Sequence, residues 1–188
     1  MNTIDTKNTI FAGFSLIELL IVIAVASILL AVGIPSFRTF IDSQKIVTTA
    51  SEFYGGINMT RAEAIKRGAR VDMVATDGTN WNKGWTIFID ANDNHKVDAG
   101  ETIIFTHEAI PTNMTLTGNF SDNSSPYISY TGNGRSRTNA SSQTPQAGTA
   151  TFVLGSYTRR VKINFLGRAR ICNPDTDTKT CGNNSSGS

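Results

Sequence analysis

Histidine and cysteine are scarce in this 188-residue sequence, which contains two of each. A dedicated zinc site would therefore have few ligands to draw on. The sequence also has no glycine-rich phosphate-binding loop and no internal repeat. No pair of carboxylates suggests acid–base catalysis, and neither histidine has a plausible nucleophile to activate. No catalytic set emerges, so we expect neither an enzyme nor a bound cofactor or metal.

Acidic residues are missing from one long stretch, between Asp122 and Asp175. The whole chain is ordinary for a globular domain with an appendage, with 17% charged residues and a formal net charge of +2. The acid-free stretch, however, holds seven cations: Arg135, Arg137, Arg159, Arg160, Lys162, Arg168 and Arg170. A patch of this kind attracts polyanions.

The longest apolar run covers residues 14–34 and has about the length needed to cross a bilayer as a helix. A small residue, Gly13, precedes the run, so cleavage after it would keep the helix on the mature protein. In a secretory signal peptide the cleavage site follows the apolar region, which is therefore removed. Glu18 is the only charged residue between Lys7 and Arg38. A carboxylate at this depth either reaches back to the membrane interface or pairs with a cation on a neighbouring helix.

The segment Gly13-Phe14-Ser15-Leu16-Ile17-Glu18-Leu19 resembles the class III signal of type IV pilins and pseudopilins. The resemblance implies that prepilin peptidase cleaves after Gly13 and methylates the new amine of Phe14. It also implies that Glu18 neutralises the N-terminal amine of the adjacent subunit, and that Pro35 is the family's helix-kinking proline. The chain would then enter the bacterial inner membrane as a single-pass protein, contact its lipid, and later join a pilus with other pilin subunits. One departure is that the cleavage glycine follows alanine rather than a basic residue.

After Pro35 the helix is expected to continue to a stop at Lys66-Arg67-Gly68, with Gly55-Gly56 interrupting it. Apolar residues at three- and four-residue steps predict a face that packs on a sheet. They are Phe37, Phe40, Ile41, Val47, Ala50, Phe53, Ile57, Ala64 and Ile65.

From residue 69 onward, short β-like runs alternate with Gly, Asn, Asp and Pro. They predict strands near 70–76, 84–90, 101–107, 113–120, 127–131, 150–157 and 159–166. Segment 132–149 is predicted to be a mobile loop. A long helix followed by strands indicates an α+β fold, with the helix laid on antiparallel β-sheets in the manner of type IV pilins.

Three internal segments indicate which subgroup of the type IV pilins and pseudopilins the chain resembles. They are Ala62 to Gly68, Gly84 to Asp90, and Gly100 to Ile104. They resemble GspH/FimT-type minor pilins and pseudopilins, whose globular domain pairs the helix with two β-sheets. The expected organisation is a leader (1–13), a transmembrane and assembly helix (14–36), its amphipathic continuation (37–68), a β-rich domain (69–171) and a tethered tail (172–188).

Gly167-Arg168-Ala169-Arg170 matches the GRxR motif of FimT-type minor pilins, which implies DNA binding during uptake for natural transformation. Strand alternation would aim Arg160 and Lys162 at solvent on one face, with Arg159 in support. Guanidinium groups suit phosphate, and contacts confined to phosphates carry no sequence information. The alternative is a solvated basic face without a ligand.

Gly134-Arg135-Ser136-Arg137 repeats the same spelling, so Arg135 and Arg137 are secondary candidates for DNA contacts. The alternative for this copy is a flexible polar loop.

Cys172 and Cys181 would lie in an oxidising compartment. They are expected to form a disulfide that tethers the tail, as pilins commonly do, with two free thiols as the alternative.

The run from Asp90 to Glu101 has the oxygen spacing of a calcium loop but carries His95 where that loop needs glycine. A polar hairpin connection explains it better.

The sequence thus predicts a minor pilin that binds DNA non-specifically. The alternatives are a structural minor pilin or a pseudopilin for pilus assembly or type II secretion, without DNA binding.

Overall fold

A computed structural model describes residues 14–182 of the chain, except for the side chains of 32–36. The predicted leader, with Gly13, and the last six residues of the predicted tail lie outside the described residues. Pro35 lies within the first helix, but its side chain belongs to the part that is not described.

One long helix, α1, runs from Leu16 to Arg67. It begins with a capping box: the Glu18 amide donates to Ser15 Oγ at 3.3 Å, and the Ser15 amide donates to the Glu18 carboxylate at 3.1 Å. It ends at Arg67 and is followed by Gly68, whose φ of 62° is left-handed and whose amide donates to the Ile65 carbonyl at 3.3 Å. The predicted stop is therefore confirmed.

The predicted interruption at Gly55-Gly56 is wrong, because α1 is continuous there. A Cβ on Gly56 would lie 2.9 Å from Nε1 of Trp85. The missing side chain thus lets the helix pack closely on Trp85, and this packing outweighs the low helix propensity of glycine.

The chain divides into two compact units, residues 1–41 and residues 42–188. In the first unit, the large apolar side chains described between Phe14 and Leu30 are exposed in the single chain, with Phe14 at 84%. No helix within the described residues is apolar enough over a sufficient length to cross a membrane.

The second unit contains two antiparallel sheets. The first has the order β3-β2-β1-β5-β6, with β1 at Val71–Ala75, β2 at Trp85–Ile89, β3 at Ile103–His107, β5 at Tyr127–Tyr130 and β6 at Ser136–Arg137. The second has the order β4-β7-β8-β9, with β4 at Met114–Phe120, β7 at Gly148–Leu154, β8 at Tyr157–Ile163 and β9 at Ala169–Cys172. A 3₁₀ helix covers Trp81–Lys83.

The C-terminal half of α1 packs on both sheets through Phe53. The ring of Phe53 lies edge-on to Trp85 of β2 at 5.1 Å and to Phe152 of β7 at 5.6 Å between centroids. The buried residues of this helix face follow three- and four-residue steps: Ile46, Ala50, Phe53, Ile57 and Ala64. The predicted α+β fold is confirmed.

Within the second unit, two residues of the predicted apolar face are not in the core. Val47 is 39% exposed and Ile65 is 52% exposed, and Ile46 is buried where Val47 was expected. A step of four from Ile46 to Ala50 keeps both on one side of the helix, whereas Val47 lies one residue further around.

All seven predicted strands are present, with slightly different bounds, but β6 and β9 were missed. The predicted loop 132–149 contains β6 and a buried anchor, Gln146. Its amide group accepts from the Ser129 amide at 3.2 Å and donates to the Tyr127 carbonyl at 3.0 Å. Gln146 therefore holds this segment against β5 as a backbone partner would.

Candidate nucleic-acid interface

The outer face of β8 and β9 carries three of the predicted DNA-binding cations. In the antiparallel register Lys162 is opposite Arg170, and Arg160 is opposite Cys172, so these residues share one face. This part of the prediction, which placed Arg160 and Lys162 on one face, agrees with the strand register.

The C-terminal loop, residues 173–182, lies across these three cations. Arg160 donates to the carbonyl of Cys181 at 2.5 Å, and Lys162 donates to those of Thr180 at 3.1 Å and Gly182 at 3.5 Å. Arg170 donates to the Thr180 carbonyl and, at 2.7 Å, to its hydroxyl. The carbonyls of three consecutive residues thus accept hydrogen bonds from side-chain donors that were expected to face solvent.

One carboxylate also reaches this face, because Asp177 Oδ2 lies 3.8 Å from Arg170 Nη1. The expectation of a basic region without a compensating acid therefore fails at Arg170. Partial burial, followed by the nearby guanidinium groups of Arg170 and Arg160, lowers the pKa of Lys162. The three positive charges are close enough to repel one another, and the loop carbonyls offset part of that repulsion.

The loop is closed by a disulfide between Cys172 and Cys181, with a Cα–Cα distance of 5.8 Å, so this prediction is confirmed. The bond holds the start of the tail beside β9. No sequence pattern indicated that the loop would cover the cations, since that depends on the pairing of β8 with β9.

Arg159 and Gly167 do not lie where a phosphate contact would need them. Arg159 alternates with Arg160, so it is on the other face of β8, where its Nη1 donates to the Thr158 carbonyl at 2.7 Å. Gly167 is buried, and its carbonyl accepts from the Tyr130 hydroxyl at 2.8 Å. The close approach that this glycine permits is to Tyr130 and Ser136, each 2.9 Å from where its Cβ would be.

Arg137 is also removed from the expected surface, because it is buried. Its Nη1 pairs with Asp93 at 3.2 Å, and its Nε donates to the Thr138 carbonyl at 3.1 Å. Arg137 therefore has a structural role at the end of β6.

Arg168 and Arg135 are the exposed members of the two GRxR copies. Within residues 14–182, neither guanidinium group has a hydrogen-bond or ion-pair partner. Each follows a left-handed glycine, with φ values of 74° at Gly167 and 77° at Gly134. In both copies, the first arginine is free and the second is hydrogen-bonded within the fold.

The two copies meet in space. A Cβ on Gly167 would lie 3.5 Å from the Gly134 carbonyl, so the two turns are in contact. Arg61 of α1 lies between them: its Nη1 donates to the Gly167 carbonyl at 3.5 Å, and its Nε would be 3.4 Å from a Cβ on Gly134. That Nε is buried without a hydrogen-bond partner. We call Arg61, Arg135 and Arg168 the junction arginines.

Residues 49–167 match the model of the family described as Type II transport protein GspH. The chain belongs to the GspH family. Residues 10–34 also match the model of the prokaryotic N-terminal methylation motif. This chain is therefore a minor pilin or pseudopilin, a structural protein rather than an enzyme, and members of its family assemble with other subunits.

Among curated proteins, the Pilin-like protein PilA1 of Thermus thermophilus is 31% identical over 163 residues. The match covers 85% of this chain and 97% of PilA1. It extends the likeness beyond the region that the GspH model matches.

Two solved structures have the same fold. The type IV minor pilin FimU of Pseudomonas aeruginosa PAO1 has a TM-score of 0.57 at 16% identity, over 72% of this chain and 94% of FimU. The minor pseudopilin EpsH of the Vibrio cholerae Type 2 Secretion System has a TM-score of 0.51 at 14% identity, over 69% of this chain and 98% of EpsH. One of these relatives is a pilin and the other a secretion pseudopilin, so the fold does not separate the two classes.

The segment from Asp90 to Glu101 is a hydrogen-bonded connection between β2 and β3. Asp98 accepts from the amide groups of Asn92 at 2.8 Å and Asn94 at 2.6 Å. Asp90 is buried beside Arg70 at 3.1 Å. In the part of the chain that the structure describes, no three His, Cys, Asp or Glu side chains are grouped to hold a metal ion.

Sequence reasoning missed a buried ionic network around Arg70, at the start of β1. Its guanidinium group contacts Asp72 at 2.6 Å, Asp93 at 3.0 Å and Asn139 at 3.1 Å. These contacts join β1 to the connection after β2 and to the segment after β6. The alternation of Arg70 and Asp72 was visible in the sequence, but their burial was not.

Proposed function

We propose that this chain is a minor pilin of a type IV pilus that binds extracellular DNA non-specifically for uptake in natural transformation. The observation that carries the proposal is the contact between the two GRxR turns, which brings the junction arginines to one surface region. Arg135 and Arg168 are exposed and unpaired among the described residues. Guanidinium groups without carboxylate partners are suited to bind phosphate oxygens.

The cations under the C-terminal loop have a secondary role in this proposal. Arg160, Lys162 and Arg170 donate mainly to carbonyls, which are neutral, so most of their charge remains to attract a polyanion. Direct phosphate contact is assigned to Arg135 and Arg168, which are exposed, and Arg61 adds its positive charge beside them. Of the residues in the predicted site, this assignment retains Arg168. Arg135, a secondary candidate in the sequence, becomes a primary one, and Arg61 is a new member.

A binding experiment with the full chain in non-ionic detergent tests the proposal. If the three junction arginines neutralise three phosphates, log affinity for duplex DNA should fall with log salt concentration at a slope of about −3. The double substitution Arg135→Gln/Arg168→Gln should weaken binding at least about tenfold and bring the slope to about −1. Fluorescence anisotropy of a labelled duplex over a salt series measures both quantities.

The matched control is Lys83→Gln/Lys96→Gln, which removes the same charge from exposed lysines elsewhere on the domain. It should leave the slope within about half a unit of the original. Equal losses in the two double variants would reduce the effect to net charge and refute the assigned site.

Assembly and processing form the second part of the proposal. We assign cleavage to the bond between Gly13 and Phe14 by prepilin peptidase, with methylation of Phe14, insertion in the inner membrane, and a pairing of Glu18 with the amine of a neighbouring subunit. The methylation-motif match and the exposed apolar side chains from Phe14 to Leu30 support this. Mass spectrometry of the mature protein tests it, because a chain that retains residues before Phe14 would contradict the processing step.

A pseudopilin of a type II secretion system is the second candidate function. It is favoured by the GspH match over residues 49–167. In that case the junction arginines would contact other pseudopilin subunits, and the full chain would show no salt-dependent affinity for DNA.

A further inference from the structure

The turn between β8 and β9 exposes two large apolar side chains beside an unpaired arginine. Leu166 is 60% exposed and Phe165 is 45% exposed. Within residues 42–182, Leu166 is the most exposed large apolar residue. Arg168 follows in the same turn, and Arg135 lies across the contact between Gly167 and Gly134.

This turn is held in one conformation by hydrogen bonds. The Asn164 side-chain oxygen accepts from the amides of Leu166 at 3.1 Å and Arg168 at 3.0 Å. The Gly167 amide donates to the Asn164 carbonyl at 2.8 Å, and the Gly167 carbonyl is fixed by Tyr130. Phe165 and Leu166 are therefore displayed on a supported turn, so little backbone entropy would be lost when a ligand contacts them.

The chemistry around the turn selects the ligand class. Arg61, Arg135 and Arg168 provide positive charge, so the complementary partner is an anion, and a second copy of this surface would repel it. A planar aromatic ring beside guanidinium groups matches a strand with exposed bases between its phosphates. In a duplex, the bases are stacked on each other and their faces are not accessible to Phe165.

On the basis of the proposed DNA-binding function, we propose that Phe165 and Leu166 contact unpaired nucleobases while Arg168 and Arg135 hold the flanking phosphates, so that the site prefers single-stranded over duplex DNA. Phe165 provides the stacking surface, and Leu166 covers the adjacent edge of the base. The preference does not depend on base sequence, because every base offers a flat face.

The test uses the full chain in nanodiscs of neutral phosphatidylcholine, with oligothymidylate as the single strand and a duplex of equal length. Phe165→Ala should weaken single-strand binding about 5- to 100-fold and change duplex binding by less than about twofold. Arg168→Gln should weaken both. The control Phe105→Ala removes another exposed phenylalanine, on β3 at 39% exposure, and should change neither.

A Phe165→Trp variant reports contact directly, because the native Trp81 and Trp85 are buried at 4% and 0% exposure. Its emission should be quenched by oligothymidylate and unchanged by polyphosphate, which has the charge but no bases. Equal quenching by polyphosphate, or an equal loss of both DNA forms in Phe165→Ala, would overturn the inference.

Three further outcomes separate this inference from the function on which it rests or from another ligand. If the unaltered chain binds both DNA forms equally, the nucleobase contact is refuted and the DNA-binding function stands. If it binds neither form, both are refuted. A blue-shifted emission of Phe165→Trp in nanodiscs that contain anionic lipid, without any response to oligothymidylate, would assign the turn to a membrane surface instead.

Discussion

Arg70 offers the most direct test of what holds the globular domain together. Its side chain is 5% exposed, and it faces the buried carboxylates of Asp72 and Asp90 at 2.6 Å and 3.1 Å. Burial by itself would lower the pKa of Arg70, but the carboxylates beside it, Asp72 first among them, more than offset this and raise the pKa, so Arg70 stays charged. Removal of this cation would leave two buried carboxylates without their compensating charge.

The substitution Arg70→Met keeps much of the side-chain volume but removes the charge and every donor. Loss of one partner from a buried ion pair costs about 3–5 kcal/mol, because the remaining charge stays desolvated. For a domain of about 150 residues, this loss corresponds to a decrease in melting temperature of about 10 °C. Adding Asp72→Asn should restore part of the loss, since it removes one of the uncompensated charges.

Thermal and urea unfolding of the full chain, followed by circular dichroism at neutral pH, measures these differences. The control is Arg67→Met, which removes an exposed ion pair with Glu63 at 2.8 Å and should change the unfolding free energy by less than about 1 kcal/mol. If Arg70→Met costs no more than this control, the network does not stabilise the domain and the reasoning fails.

Two further predictions concern the disulfide and pH. Replacing both Cys172 and Cys181 with serine should lower the unfolding free energy by about 2–3 kcal/mol, because the disulfide no longer restricts the unfolded chain. The same change should strengthen DNA binding, because the released loop would free the donors of Lys162. Unchanged stability and affinity would contradict the assigned role of the loop. Burial raises the pKa of Asp72 from 3.8 to about 6. Because the folded-state pKa is the higher one, stability from this group is greatest at acid pH and is lost as pH rises through about 6. Relative to an Asp72→Asn variant, the unaltered chain should lose up to about 3 kcal/mol between about pH 4 and 7, and parallel pH profiles would contradict this.

The fold class and the family followed from the sequence because their signals are local. Glu18 within an apolar run, the stop at Gly68, and the alternating runs after residue 69 each depend on neighbours a few positions away. The capping box of Ser15 and Glu18 has the same local character and could have been predicted from its spacing.

The candidate site was predicted only in part, because composition does not say which donors are already used. Arg168 and Arg170 have the same residue type in one motif, yet Arg168 is free and Arg170 donates to the C-terminal loop. Arg137 looked like a loop residue and is buried with Asp93, which lies 44 positions earlier in the chain. Such pairings depend on contacts between distant segments.

The sequence by itself determined the N-terminal segment with the methylation motif, the α+β class and the presence of excess positive charge near the carboxyl end. The tertiary structure alone decided which of those charges are available, since the pairing of β8 with β9 places three of them under the C-terminal loop. It also brought Gly134 against Gly167 and so gathered Arg61, Arg135 and Arg168. The physical reason is that the sequence fixes the type of each residue and its position along the chain, whereas its access to solvent depends on segments that are far away in the sequence.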